Sequence, residues 1–129
     1  MKTVSTANAP AAVGPYAQAV DIGSLVFVSG QIPVDPETGE MPSGIEAQTE
    51  QALSNLRAIL SADGTGMEEV VKVTLFLADI VDFPVVNKVY GRFFAAPYPA
   101  RSCVAVSALP KGSRIEVEAI AVKTQGRCR

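Results

Sequence analysis

The sequence predicts an α+β fold, a mixed β-sheet with two helices on one face in the order β-β-α-β-α-β-β. Three observations predict it. Short β-branched runs bounded by Gly or Pro recur along the chain. Two stretches carry apolar residues at helical spacing. The 129 residues suffice for one core, so the elements are expected to form a single domain over 1–129. The ends, 1–2 and 124–129, are expected to be loose.

Tyr16 to Val20 is a short strand candidate after Gly14-Pro15, and Leu25 to Ser29 is a stronger one between Gly23 and Gly30. A loop with three prolines and one glycine follows (QIPVDPETGEMPS), and its Asp35-Pro36-Glu37-Thr38-Gly39 segment has turn chemistry. Ser43 opens a helix, with Glu46 at capping-box spacing. Ile45, Ala52, Leu53, Leu56, Ile59 and Leu60 form its apolar stripe, and Asp63-Gly64 ends it. Val70 to Ala78 is a long strand. Asp82 is the expected cap of a second helix, whose apolar face is Phe83, Val86, Tyr90, Phe93 and Phe94. Pro84 fits its first turn, and Gly91 weakens it by about 1 kcal/mol relative to Ala. Strands Ala100 to Ser107 and Ile115 to Val122 complete the order, joined by the Pro110-Lys111-Gly112 turn.

Two helices cover one face of a sheet, yet several strands read apolar on both. In the Val70–Ala78 strand, Val71, Val73, Leu75 and Leu77 are expected on one side and Phe76 and Ala78 on the other. A second cover is needed, and another copy of the chain is expected to supply it.

Composition removes several chemistries. Net charge is −2, which leaves no basic surplus for a phosphate backbone. Histidine is absent, so Ser-His-Asp and Cys-His machineries and histidine zinc ligands are excluded. Two cysteines, Cys103 and Cys128, cannot build a four-thiolate metal site or a disulfide framework. No signal peptide or spanning segment is visible, and a cytoplasmic protein with no membrane partner is expected.

Five residues remain as site candidates. Arg101 shares a strand face with Cys103 and Ala105. Its bland reading is a solvent-facing residue at a strand end; its functional one is a clamp for a planar carboxylate, to which a guanidinium offers two parallel N–H bonds. Glu118 shares a face with Glu116, Ile120 and Val122. Desolvation there would raise its carboxyl toward neutrality and suit it to proton transfer. An edge glutamate placed against aggregation is the alternative, and Glu116 is the expected structural one of the two. Cys103 has no histidine to activate it and reads better as a small core residue whose main chain matters. Gly30, after Ser29 at the end of a strand, either permits close backbone approach or merely turns the chain. Tyr16 either donates its hydroxyl or lies at a rim.

Gly14-Pro15-Tyr16, Ser29-Gly30-Gln31-Ile32-Pro33, Val86-Asn87-Lys88-Val89-Tyr90, Pro99-Ala100-Arg101-Ser102-Cys103-Val104 and Ile115-Glu116-Val117-Glu118-Ala119-Ile120-Ala121 occur in that order. This set resembles the reactive intermediate deaminase (RidA, or YjgF) family over roughly Thr3 to Lys123. The resemblance implies a chorismate-mutase-like fold and a homotrimer with sites in clefts between subunits. It implies hydrolysis of 2-imino acids, in equilibrium with enamines such as 2-aminoacrylate, to 2-keto acids and ammonia. PLP-dependent dehydratases release those intermediates, and no cofactor is implied for the deaminase. By position, Arg101 would bind the substrate carboxylate and Glu118 would activate water. Main-chain groups of Gly30 and Cys103 would touch substrate, Tyr16 and Ser29 would line the cleft, and Asn87 would support it. Ala95 to Tyr98 is shorter than in some relatives. The rival readings are a 2-keto-acid-binding regulator, an RNA-cleaving protein, and a deaminase of a bulkier substrate such as 2-aminomuconate. The enzymatic account requires Arg101 and Glu118 to share a crevice.

Overall fold

The computed structural model describes residues 1–123; the expected loose tail at 124–129 and Cys128 lie outside the described residues. Six strands form one sheet: β1 (Lys2–Val4), β2 (Ala19–Asp21), β3 (Leu25–Gln31), β4 (Val70–Leu77), β5 (Ala100–Ala105) and β6 (Ile115–Val122). Their spatial order is β1-β2-β3-β6-β4-β5. All neighbours are antiparallel except β4 and β5, which are parallel and joined through a helix, as a parallel pair requires. Helices α1 (Ile45–Ala62) and α2 (Phe83–Phe93) pack together on one face. The α+β class and the two-helix cover are as the sequence predicts.

One core lies between helices and sheet. Ala52, Leu53, Leu56, Ile59 and Leu60 of α1 meet Val26 and Val28 of β3, Val73, Leu75 and Leu77 of β4, and Val117, Ala119 and Ala121 of β6. These residues alternate along each strand with those of the open face.

Several local expectations are corrected. Residue 2 is not loose: Lys2 pairs with Asp21, so a short strand precedes the expected first one. The first expected strand begins later, because Tyr16 sits in a turn where its N–H bonds the Gly14 carbonyl at 2.9 Å. The strand after Ala100 ends at Ala105 rather than Ser107. Ser43 does not cap α1. Gly44 takes that place at φ 91°, a conformation costly for serine, and no side chain caps the helix. Asp82 does not cap α2 with its side chain. Its two carboxylate oxygens instead accept Arg114 Nη2 at 2.8 and 2.9 Å, while Asp79 accepts the Val81 N–H in the preceding 3₁₀ turn, Ile80–Asp82. Val71 does not face the core. A register shift between Val70 and Lys72 puts Val70 inside and leaves Val71 outside.

The open face keeps apolar residues in solvent. Phe27, Val71 and Val104 are each about two-fifths exposed, at 41%, 42% and 44%. Phe76, Ile120 and Val122 are half-buried beside them.

At the far edge of the sheet four charges close the fold. Lys123 Nζ lies 3.1 Å from Asp63 Oδ2 and 3.4 Å from Asp21 Oδ2, and the more exposed Lys2 reaches Asp63 Oδ1 at 2.9 Å. Burial pulls the Lys123 ammonium down, but the hydrogen bond and charge of Asp63, then those of Asp21, outweigh it and the net direction is up. The Asp21 carboxyl is held below the ordinary carboxylate range, chiefly by the Gly23 N–H and then by Asp63 and Lys123. Lys123→Met is expected to cost about 2 kcal/mol, less than the usual buried-pair loss because Lys2 still neutralises Asp63. The denaturant midpoint reads it. A depressed carboxyl stabilises above its unfolded pKa and ceases to as pH falls through its folded one. Below about pH 4, the unfolded value, the gap between variant and parent should therefore narrow.

Candidate active site

The sequence candidates fall into two groups. Arg101 pairs in register with Val73, and Cys103 with Leu75, which places both on the helix side of the edge strand β5. There the Arg101 guanidinium is held from three directions. Its Nη1 donates to Asn87 Oδ1 at 2.8 Å. Its Cζ lies 4.7 Å from the Tyr90 ring centroid and 5.3 Å from that of Phe83. Phe83, Asn87 and Tyr90 follow one another at i, i+4 and i+7, a single stripe of α2. Two rings and one amide thus fix the cation and leave its remaining N–H groups for a ligand. A concavity lined by Asn87, Tyr90, Gly91, Tyr98, Pro99 and Arg101 opens in front of it.

Cys103 is half-buried against the core. Burial pushes its thiol up, and the Arg101 charge offsets part of that. This environment disfavours a thiolate and fits the packing reading. Among the described residues its strand is the sheet's edge, so alternate main-chain groups of β5 face outward without a sheet partner there.

Tyr16, Ser29, Gly30 and Glu118 form the second group. They line a concavity together with Ile32, Pro110 and Glu116. Gly30 does not end its strand. It lies in an irregularity of β3 between Val28 and Gln31, where pairing with β6 is interrupted. Ser29 Oγ donates to the Ala17 carbonyl at 2.6 Å, and the Ser29 N–H to the Gln18 carbonyl at 2.9 Å, so this serine ties the bulge to the segment bearing Tyr16. Buried Gln18 pins that segment further, accepting from the Thr6 N–H and donating to the Thr6 and Pro10 carbonyls. The Tyr16 hydroxyl accepts from the Val13 N–H at 3.4 Å, and its own O–H remains available.

Glu118 pairs with Thr74 on the open face and is exposed. The desolvated carboxyl is instead Glu116, which burial first and the Glu118 charge second push upward. The expectation that Glu118 is the desolvated one is corrected here. The two form one carboxyl pair, and the more protected member is the residue nearer Gly30. The aromatic support of Arg101 was also missed, because Phe83 and Tyr90 read as plain helix-core positions. The i, i+4, i+7 stripe containing Asn87 was the available signal.

A single chain does not satisfy the requirement that Arg101 and Glu118 share a crevice. They occupy opposite faces of the sheet, and β4 lies between their strands. Each chain presents a cation on the helix side of the sheet and carboxyls on the open side.

A family model described as Endoribonuclease L-PSP matches residues 6–123. The chain is 52% identical over 125 residues to the 2-iminobutanoate/2-iminopropanoate deaminase of Escherichia coli K12, covering 95% of this chain and 98% of that one. Identity to the enzyme of the same name from Salmonella typhimurium LT2 is 53% at the same coverage. Among solved structures, the YjgF gene product of E. coli superposes with a TM-score of 0.93 at 51% identity, covering 95% of this chain and 99% of that one. E. coli TdcF with bound serine gives 0.93 at 48% identity, with the same coverages. Likeness at this level over nearly the whole chain makes it a member of the reactive intermediate deaminase (RidA/YjgF) family, within the group described as Endoribonuclease L-PSP.

Proposed function

We propose that the chain hydrolyses the C=N bond of small 2-imino acids, such as 2-iminopropanoate and 2-iminobutanoate, to 2-keto acids and ammonia. The observation that carries this reading is the Arg101 half-site. A guanidinium clamped between two rings and one amide, with donors left over and a concavity before it, is built for a carboxylate. The names of relatives 52% and 53% identical agree with it.

The chemistry asks little of the protein. A protonated imine carbon is already electrophilic, so orientation, a water and a route for protons suffice. Arg101 fixes the carboxylate next to that carbon. Glu118, exposed in the opposite half-site, takes a proton from the attacking water. Tyr16 offers its hydroxyl, and the main chain of Gly30 and Cys103 lines the approach.

The two half-sites meet when copies assemble head to tail around a threefold axis. The Arg101 face of one copy then meets the Glu118 face of the next, and a closed ring holds three equivalent clefts. The exposed apolar residues of the open face would be covered in the same step. We read the protein as a cytoplasmic homotrimeric hydrolase that clears intermediates released by PLP-dependent dehydratases. The family description names an endoribonuclease, but a net charge of −2 leaves no basic surplus for a phosphate backbone, and histidine, the usual base of RNA cleavage, is absent from the sequence.

The test is a coupled assay. A PLP-dependent dehydratase is given serine or threonine, and keto acid is timed with and without this protein. A rate that rises in proportion to added protein is expected. Keto acid appearing at the uncatalysed rate at every protein concentration refutes the deaminase reading.

A further inference from the structure

We propose that Glu116 is a second carboxyl of the deamination site, donating a proton to the departing nitrogen while Glu118 takes one from the attacking water. The inference rests on the reading above and adds a division of labour to it.

The geometry places Glu116 in the cleft. It stands two residues before Glu118 on β6, so both side chains leave the same face of the sheet. Its carboxyl lies directly over Gly30. A Cβ added at that position would meet the Glu116 carboxylate oxygen Oε2 and stand 2.8 Å from its Cδ. The missing side chain at the bulge is therefore the space in which this carboxyl sits, beside Tyr16, Ser29 and Glu118. Among the described residues no cation and no hydrogen-bond donor meets it.

Other charges nearby are few. β6 contributes Glu118, and the segment before β2 contributes Tyr16. The turn at Pro110 contributes Lys111, which lines the neighbouring hollow on the other side of Gly30. Lys72 of β4 lies in a separate depression beside Glu118. The residue of β4 that pairs with Glu116 is Phe76, which is uncharged. Within one chain, a half-buried carboxyl with a like charge beside it and no counter-charge is a poor structural device; in the ring the cation that faces it is Arg101 of the next copy, whose charge the substrate carboxylate takes up. Burial and the Glu118 charge favour its neutral form, and a neutral carboxyl is a proton donor. Glu118, the more exposed of the two in one chain, takes the part of the base.

The steps balance. Water forms its C–O bond to the iminium carbon as the C=N π electrons move to nitrogen, and Glu118 takes a proton from that water. The carbinolamine nitrogen then takes the Glu116 proton. The C–N bond breaks as the hydroxyl oxygen closes C=O, and the hydroxyl proton returns to Glu116. Ammonia leaves and accepts the proton held by Glu118. The sum is iminium acid plus water giving keto acid plus ammonium.

The test is Glu116→Gln in the full-length protein, with the dehydratase in excess at each pH. A fall in kcat of about a hundredfold is expected, with KM near that of the parent. The donor must be protonated, so the parent loses activity as pH rises through the raised Glu116 pKa. The variant should lack that alkaline limb, whereas any limb from the substrate itself is common to both proteins. A carboxyl of raised pKa stabilises the fold below its unfolded value and loses that contribution as pH rises through the folded one. Glu116→Gln should therefore melt above the parent at pH 7.

An unchanged kcat and an unchanged pH profile overturn the proposal. So does a raised KM with kcat and the alkaline limb intact, which would make Glu116 a holder of the neighbouring copy's arginine. Should Glu116→Gln fail to assemble, Glu116→Asp, which keeps the acid, decides. It must show an alkaline limb displaced in pH from the parent's at reduced kcat, and a limb at the parent's pH, or none, overturns the proposal. A parent protein with no deaminase activity is a different outcome: it defeats the reading on which the inference rests.

Discussion

On the proposed threefold ring, mixed trimers of Arg101→Ala and Glu118→Ala chains are expected to regain about one third of the parent's activity per trimer at substrate near the parent's KM, where each variant alone has little. The expectation follows from the two faces of one sheet. Arg101 points toward α2, and Glu118 points away from it. No rotamer change carries either side chain through a packed β-strand. On the proposed function, a working cleft then takes its arginine from one copy and its glutamate from the next. In a ring with two chains of one kind and one of the other, a single junction joins an intact Arg101 to an intact Glu118. The chains carry different affinity tags, are co-expressed, and are purified through both tags in succession, so that every trimer is mixed. Activity no higher than that of the separate variants would sink the shared-cleft arrangement. Each variant should keep the parent's size in solution, which separates lost chemistry from lost assembly. Arg101→Ala is expected to act mainly on KM and Glu118→Ala mainly on kcat, because one grips the ground-state anion and the other moves a proton only in the reaction.

The strands that carry the core were legible because their chemistry is local. β-branched alternation marked Val70–Leu77 and Ile115–Val122 to within a residue. Helical spacing gave α1 its buried stripe. Local reasoning failed where a neighbour decides the outcome. Val71 turns outward because of a bulge, and a bulge depends on pairing with β6. Asp82 has the sequence of a cap but is claimed by Arg114, which lies on the far side of the α2–β5 unit. β1 is three residues long and forms only because Lys2 and Val4 find β2. The site shows the same division. That Arg101 and Cys103 share a face was readable from alternation. That this face is the helix side, opposite to Glu118, depends on the placement of β5 at the sheet edge, which no residue in PARSCV announces. Glu116 and Glu118 are two positions apart and equal by sequence. Only the approach of the Gly30 bulge makes one of them half-buried and leaves the other in solvent.

Arg101→Lys is expected to lose about a hundredfold in kcat/KM even though the charge is kept. The loss comes mainly as a raised KM. A guanidinium meets a carboxylate with two parallel N–H bonds, while an ammonium on a flexible stem meets it with one at a time. Charge-assisted hydrogen bonds contribute about 1.5–3 kcal/mol each, which sets the size of the effect. The supports of Arg101 suit a planar cation as well. Both rings lie near its Cζ, and the Asn87 amide oxygen accepts one of its N–H groups at 2.8 Å. A lysine reaching into the same sleeve keeps a weaker contact with the rings and loses the fixed direction. Asn87→Ala should then cost less than Arg101→Lys, about tenfold, because the rings still hold the plane of the guanidinium. Saturation curves with imine generated in place measure both variants. If Arg101→Lys keeps the parent's KM, the arginine acts as a bare positive charge, and carboxylate recognition by a fixed planar fork is wrong.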